Sequence, residues 1–210
     1  IMSAFLKSIQ KKIGNSNSSI VSDGIVGDLS GFIDTGSLLL NAAASGSMFK
    51  GFPDNKISML AGPAGVGKSF ILLTMIARFL QKYPKATTVF FESESAQRKD
   101  IMEGFGIDVS RVLFVPITTV QELRSQALQV LEEYEKVPEK ERIEAKLFLC
   151  LDSLGNLSTI KEMEDASSGK EVQDMTRAKL IKSTFRVITL KLGVLAVPFI
   201  CTNHIYMSHG

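Results

Sequence analysis

One short run in the first third of the chain has the residue types and spacing needed to hold a phosphate. The pattern G-x-x-x-x-G-K-[ST] is matched by Gly62-Pro63-Ala64-Gly65-Val66-Gly67-Lys68-Ser69. Glycines let the backbone curl so that several N–H groups point at one anion, and the positive end of a following helix adds to that field. The run therefore predicts nucleotide binding, with Lys68 on the β- and γ-phosphates and the Ser69 hydroxyl on Mg²⁺. A glycine-rich structural turn is the alternative.

Carboxylates follow two apolar runs that read as strands. Leu147-Phe148-Leu149-Cys150-Leu151 leads into Asp152, which is expected to hold the Mg²⁺ shell. Val89-Phe90-Phe91 leads into Glu92-Ser93-Glu94. Hydrolysis needs a group that orients and deprotonates the attacking water, and we expect only one of the two glutamates to face the phosphate. A solvated acidic loop is the alternative for this pair.

A third strand end carries Asn203 and His204, after Phe199-Ile200-Cys201-Thr202. Their side chains could form hydrogen bonds near the γ-phosphate, although a histidine at a strand end often has a purely structural partner. The chain has two histidines, so a histidine-based metal site is not expected.

Strands and helices must alternate to bring these three strand ends together. The pattern predicts an α/β fold with a mostly parallel sheet covered by helices on both faces. We divide the chain into a short amino-terminal helix and linker arm over residues 1–33 and an ATPase-like core over 34–210. The predicted strands are Ile57–Ala61, Thr87–Glu92, Val112–Val115, Leu147–Asp152 and Val197–Asn203, and the predicted helices are Ala4–Ile13, Leu38–Phe49, Lys68–Gln81, Arg98–Phe105, Val120–Tyr134 and Gln173–Leu192.

Composition limits the classes of partner. The chain has 210 residues, 45% of them hydrophobic, and a net charge of +2, so any contact with DNA must be local. Cys150 and Cys201 lie in apolar runs and are expected to be buried free thiols, which points to a reducing, cytoplasmic setting. No apolar run reaches the length of a membrane span, so no membrane partner is expected.

The motifs together resemble the core of a RecA-type recombinase, and most closely the UvsX recombinases of T-even-like phages. The matches run in the family's order from about residue 34 to 206. They comprise Thr35-Gly36-Ser37, Ala61-Gly62-Pro63, Glu92-Ser93-Glu94, Leu151-Asp152-Ser153-Leu154-Gly155-Asn156-Leu157, Asp174-Met175-Thr176-Arg177-Ala178-Lys179, Lys182-Ser183, Phe185-Arg186 and Asn203-His204-Ile205-Tyr206.

The resemblance implies roles position by position. Glu94 matches the glutamate that activates water, and His204 matches a sensor of the γ-phosphate where bacterial relatives carry Gln. Phe70 and Arg98 join the nucleotide-binding set. The segment from about 158 to 172 corresponds to the first DNA-binding loop. The resemblance further implies ATP with Mg²⁺, filaments of many copies on single-stranded DNA, strand exchange, recombination mediators and single-strand-binding proteins as partners, and the host cytoplasm if the protein is viral.

Some positions depart from the bacterial pattern. Gln97, Arg98 and Ile101 stand where bacterial relatives place base-contacting Asp and Tyr, so base preference stays open. No clear Phe-x-x-Ala polymerisation motif occurs near the amino terminus, and residues 157–172 are net acidic. We expect the second DNA loop to lie beyond Gly210. The other functions considered are a nucleotide-binding module without turnover, a hexameric helicase-type ATPase and a small-molecule kinase.

Overall fold

A five-stranded parallel sheet forms the centre of the molecule, in the strand order β3-β7-β6-β4-β5. The computed structural model describes residues 2–169 and 176–205. A separate antiparallel pair, β1 and β2, lies beside the sheet. The strands are β1 (Phe32–Ile33), β2 (Phe52–Pro53), β3 (Ile57–Gly62), β4 (Thr87–Glu92), β5 (Val112–Pro116), β6 (Leu147–Asp152) and β7 (Phe199–His204).

Helices cover both faces of the sheet, which confirms the predicted α/β class. β6 is buried along its whole length, because a central strand between two helix layers must be apolar on both sides. The helices are α1 (Met2–Ile13), α2 (Leu38–Ser45), α3 (Lys68–Lys82), α4 (Lys99–Gly104), α5 (Val120–Glu135), α6 (Glu139–Arg142), α7 (Ile160–Ser167) and α8 (Arg177–Leu195).

The core has two layers, one on each side of the sheet. On one face, α5 and α8 bury side chains such as Leu123 and Ile188 against Phe199. On the other face, α3 and α4 bury Phe79 and Met102 with the opposite side chains of the same strands. Side chains along each strand alternate between the two faces of the sheet, so each strand contributes to both layers of the core.

Helices α2 and α7 differ clearly from the sequence prediction, and α8 extends beyond its predicted end at Leu192. Helix α2 ends at Ser45 and not at Phe49, because Gly46 adopts a left-handed conformation (φ 73°) and donates its N–H to Ala42 O. Helix α8 begins at Arg177 in the described residues, and the predicted start at 173–175 lies outside them. Helix α7 was not predicted at all, although Thr159 and Glu162 form a reciprocal capping box at its start.

The register of the sheet brings the three predicted strand ends to one edge. Gly62 at the end of β3 lies opposite His204 of β7, and Glu92 of β4 lies opposite Asp152 of β6. All of these strands run parallel, so their carboxyl ends share that edge. The loop after β3 therefore begins next to the predicted sensor.

The turn that follows β6 is tied to the start of α8. The guanidinium of Arg177 donates from Nε to Leu157 O at 2.8 Å and from Nη2 to Gly155 O at 2.8 Å and Leu154 O at 3.3 Å. The Gly155 Cα lies so close to β7 that a Cβ there would stand 3.0 Å from Asn203 Oδ1. The first residue of α8 and the end of β7 thus both contact this turn.

The amino-terminal helix α1 shows its apolar side chains to solvent. Phe5 is 60% exposed and Ile13 64% exposed. The arm that follows is attached to the core through Gly27 and Asp28, whose carbonyls accept from Lys56 and Asn55. In residues 2–169 and 176–205, no helix is long and apolar enough to cross a membrane.

Candidate nucleotide site

The loop between β3 and α3 has the backbone that the glycine spacing predicts. Gly65 and Gly67 have φ values of 74° and 88°, and nothing lies within 4 Å of a Cβ built on either. The glycines are thus required by the left-handed backbone and not by lack of space. Gly67 is the N-cap of α3, so the first N–H groups of that helix face the loop.

Lys68 is a buried cation bound by its own loop. The residue as a whole is 8% exposed. Its Nζ donates to Gly62 O at 3.0 Å and to Pro63 O at 2.7 Å. Nζ also lies 3.4 Å from Nδ1 of His204. Among the residues that the structure describes, no carboxylate lies within ion-pair distance of Lys68.

The two glutamates at the end of β4 make different contacts. Glu92 is 3% exposed, and its Oε1 accepts from the backbone N–H groups of Glu94 and Ala96. It closes the turn that follows the strand, where Ser95 has a positive φ of 54°. That turn leaves Glu94 alone to reach the neighbouring strand ends, as expected for one of the pair.

Glu94 receives two hydrogen bonds on one oxygen. Its Oε1 lies 2.5 Å from Ser153 Oγ and 2.9 Å from His204 Nε2. Burial raises the pKa of Glu94, but the hydrogen bonds from Ser153 and His204 and the charge of Lys68 outweigh it, so the pKa lies below its usual value. The carboxylate is therefore ionised at neutral pH, as a group that accepts a proton from water must be.

His204 links the lysine to the glutamate. One tautomer, with the proton on Nε2, donates to Glu94 and accepts from Lys68 at Nδ1, so both contacts are satisfied by a neutral ring. The last residue of β7 thus bridges two polar groups and is not an isolated strand-end histidine.

Asp152 is buried at the end of β6 and 3% exposed. Its Oδ1 accepts from Thr202 Oγ1, and its Oδ2 accepts from Gln97 Nε2 at 3.2 Å. The peptide bond to Ser153 is cis. These contacts hold the carboxylate at the strand edge beside Glu94.

The donor set fits a nucleotide with Mg²⁺. A buried cation that lacks a carboxylate partner is costly to the fold unless an anion binds it, and a phosphate is such an anion. Mg²⁺ in nucleotide sites is held by one or two side-chain oxygens, waters and phosphate oxygens, which Ser69 and Asp152 can supply. No group of three or more His, Cys, Asp or Glu side chains that could by itself hold a metal ion occurs in the described parts of the chain.

The carbonyls of Gly62 and Pro63 accept from Lys68, and the other predicted residues form no hydrogen bond to this array in the described part of the chain. Val66 and Phe70 are exposed, and the Phe70 ring packs edge-on against Phe105 at 4.9 Å. Arg98 precedes α4 and pairs with Asp100 on the surface. Pro63, Ala64 and Ser69 lie on the loop and the first turn of α3, where the pattern places them.

Sequence reasoning missed the residues that orient the predicted ones. Ser153, Thr202 and Gln97 each form a hydrogen bond to Glu94 or Asp152. They come from three separate segments and meet only through the fold, so no local pattern marks them. Thr202 alone had a signal, since a polar residue in the apolar run of β7 needs a partner.

The two cysteines agree with the sequence prediction of buried free thiols. Cys150 and Cys201 are free and buried, and burial raises the pKa of Cys201 to about 12. Neither thiol belongs to the polar array at the sheet edge.

A five-stranded parallel sheet flanked by helices, with a glycine-rich loop and polar strand ends at one edge, is an α/β core of the RecA-like class. The chain belongs to the RecA N-terminal domain family, whose model matches residues 1–210. It is similar to the recombination and repair protein of Enterobacteria phage T4, at 35% identity over 168 residues. The predicted resemblance to RecA-type phage recombinases is therefore confirmed.

That alignment covers the two proteins unequally. It includes 80% of this chain and 41% of the phage T4 protein. The chain thus spans less than half the length of the curated relative that it matches.

Proposed function

We propose that this chain is the ATPase core of a DNA recombinase that forms filaments on single-stranded DNA and promotes pairing and strand exchange. Family membership and the similarity to a recombination and repair protein support the class. The observation that carries the ATPase proposal is the Lys68–His204–Glu94 array, which lies at the carboxyl edge of the sheet.

The chemistry assigned to each group follows from its contacts. The loop 62–69 and Phe70 would hold ATP, with Arg98 near its rim, and Ser69 and Asp152 would hold Mg²⁺. The bound ion would neutralise charge on the phosphates. Glu94 would accept a proton from the attacking water, because its carboxylate is ionised and its second oxygen takes no part in the bonds to Ser153 and His204.

His204 is proposed as the sensor. Lys68 uses its N–H groups on two loop carbonyls and on His204, so a phosphate that drew the ammonium away would release the ring. The state of His204 would then depend on what the loop holds. This gives the predicted sensor a physical basis in residues of this chain.

The DNA-binding part of the proposal concerns the segment from Ser158 onward. Helix α7 occupies Ile160–Ser167 within it, and residues 170–172 lie outside the described part. We propose that ATP occupancy sets the affinity of this region for single-stranded DNA in a filament of many copies. Recombination mediators and single-strand-binding proteins are the proposed partners, and the host cytoplasm is the proposed location.

ATP turnover with and without single-stranded DNA tests the proposal. We expect turnover that DNA stimulates, together with filaments by electron microscopy. Nucleotide binding without turnover in either condition would favour the binding module and reject the ATPase. DNA-stimulated turnover with closed rings in place of filaments would favour the helicase-type motor.

A further inference from the structure

We propose that Ser153 is a positioning residue, whose hydroxyl holds the Glu94 carboxylate in place for the attack of water. The inference rests on the proposed ATPase function and deepens it. Ser153 follows the Mg²⁺-binding aspartate in the chain, yet its side chain contacts the glutamate of a different strand. It therefore connects the ends of β6 and β4 through the reacting group itself.

The contact is short and buried. Ser153 is 0% exposed, and its Oγ lies 2.5 Å from Glu94 Oε1. A hydroxyl that donates to a carboxylate forms a strong, charge-assisted bond, and a buried one does not exchange with water. The orientation of Glu94 is thus tied to the backbone at Ser153.

The backbone of Ser153 is in turn held by hydrogen bonds with Ser93, which follows β4. Ser93 Oγ donates to Ser153 O at 2.7 Å and accepts from Ser153 N at 2.9 Å, and Ser93 N donates to Asp152 O at 2.9 Å. These hydrogen bonds join Ser93, the residue before Glu94, to Asp152 and Ser153. The two strand ends form a closed frame around the carboxylate.

The second donor to Glu94 has a competing partner. His204 also contacts Lys68, so any event that moves the lysine acts on the histidine. Among the residues that the structure describes, Ser153 has no hydrogen bond to Lys68 or to the loop 62–69. Ser153 is thus the donor whose geometry is independent of the loop, while His204 is the donor that can respond to it.

The test compares Ser153→Ala with the unchanged protein in ATP turnover and in a direct titration of Glu94. We expect kcat to fall about ten-fold with KM unchanged, since one charge-assisted hydrogen bond is lost from the reacting group only. The pKa of Glu94, followed by ¹³C carboxyl NMR without nucleotide, should rise, and the acid limb of the kcat profile should move to higher pH with it.

Thr88→Val is the matched control. Thr88 lies near the amino end of β4, the strand that leads into Glu94. Its hydroxyl is buried and has no hydrogen-bond partner in the described residues. This variant should leave kcat and the Glu94 pKa unchanged. If Ser153→Ala fails to fold, Ser93→Ala tests the same frame, and a smaller fall in kcat with a rise in the Glu94 pKa is expected.

Two results would overturn the proposal: an unchanged Glu94 pKa in Ser153→Ala, or a change in KM with kcat preserved. Absence of turnover in the unchanged protein would reject the ATPase function instead. The titration of Glu94 would still report whether Ser153 holds the carboxylate, so the two failures are distinguishable.

Discussion

Each end of the sheet holds a lysine that is largely shielded from solvent, and the contacts of the two lysines differ. At the amino end, Lys146 lies 3.0 Å from Asp54 Oδ2 and 4.7 Å from the Tyr83 ring centroid. Asp54 also accepts from Ser30 of the arm. At the carboxyl end, Lys68 contacts two carbonyls and a histidine and has no carboxylate partner in the described residues.

The difference separates a structural charge from one available to a ligand. Lys146 is neutralised within the protein, so its removal would leave Asp54 buried and unpaired. Lys68 keeps a net positive charge beside backbone N–H groups that also favour an anion. We therefore propose that two residues of one type serve stability at one end of the sheet and binding at the other.

The largest effect is expected for Glu94→Gln. Loss of the basic carboxylate should lower ATP turnover about 1,000-fold while ATP affinity is kept, because a general base contributes to the chemical step. Single-turnover kinetics and nucleotide binding measure the two quantities. Glu92→Gln is the control and should retain turnover, since Glu92 accepts only backbone N–H groups. Loss of turnover in Glu92→Gln alone would reverse the assignment.

At the other end of the sheet, Lys146→Met should lower the free energy of unfolding by about 3 kcal/mol, because it leaves a buried carboxylate unpaired. Denaturant unfolding measures the loss. The control is Lys85→Met, whose partner Glu144 is exposed, and its loss of stability should be much smaller because solvent screens an exposed ion pair. Lys68→Met should also cost little. A loss in Lys68→Met as large as in Lys146→Met would remove the proposed contrast.

Lys68→Ala should weaken ATP binding about 100-fold, which is the size expected for charge-assisted bonds to phosphate. Equilibrium binding of a fluorescent ATP analogue, with ATP as competitor, provides the measurement. Lys82→Ala is the matched control, because Lys82 lies at the opposite end of the same helix. Equal affinity in the two variants would contradict the role of the loop lysine.

The smallest effect concerns alkaline pH. Burial lowers the pKa of Lys146, but the hydrogen bond and charge of Asp54 outweigh it, so the pKa lies above the ordinary 10.5. A pKa raised by folding adds stability that is complete below the unfolded value and is lost as pH rises through the folded one. The stability difference from Lys146→Met should therefore shrink above pH 10.5. A constant difference would contradict the ion pair.

The sequence predicted the strands and the loop that are each encoded in one uninterrupted run of residues. β4 and β6 were predicted at their observed bounds, because a fully apolar run that ends in a carboxylate has few other structures open to it. The loop glycines and the roles proposed for Lys68 and Asp152 depend on one local motif each. The meeting of these strand ends follows from the parallel arrangement alone.

What escaped prediction depends on contacts between distant segments. The hydroxyl of Ser153 finds Glu94 across two strands, and Gln97 finds Asp152 from a loop. Lys146 and Asp54 were not paired in advance, since neither position has a local pattern. Helix α7 is the exception, because Thr159-Ile160-Lys161-Glu162 is a capping-box sequence and could have been recognised.

The three bonds from Arg177 have an entropic consequence for the region between β6 and α8. They hold the backbone of Leu154–Leu157 against the first residue of α8, so the chain from 158 to 176 leaves and returns at one fixed place. Closing a loop of that length from free ends costs about 2 to 3 kcal/mol. In the folded protein this entropy is already lost before any ligand binds. A ligand of the segment would therefore not have to bring the two ends of the segment together.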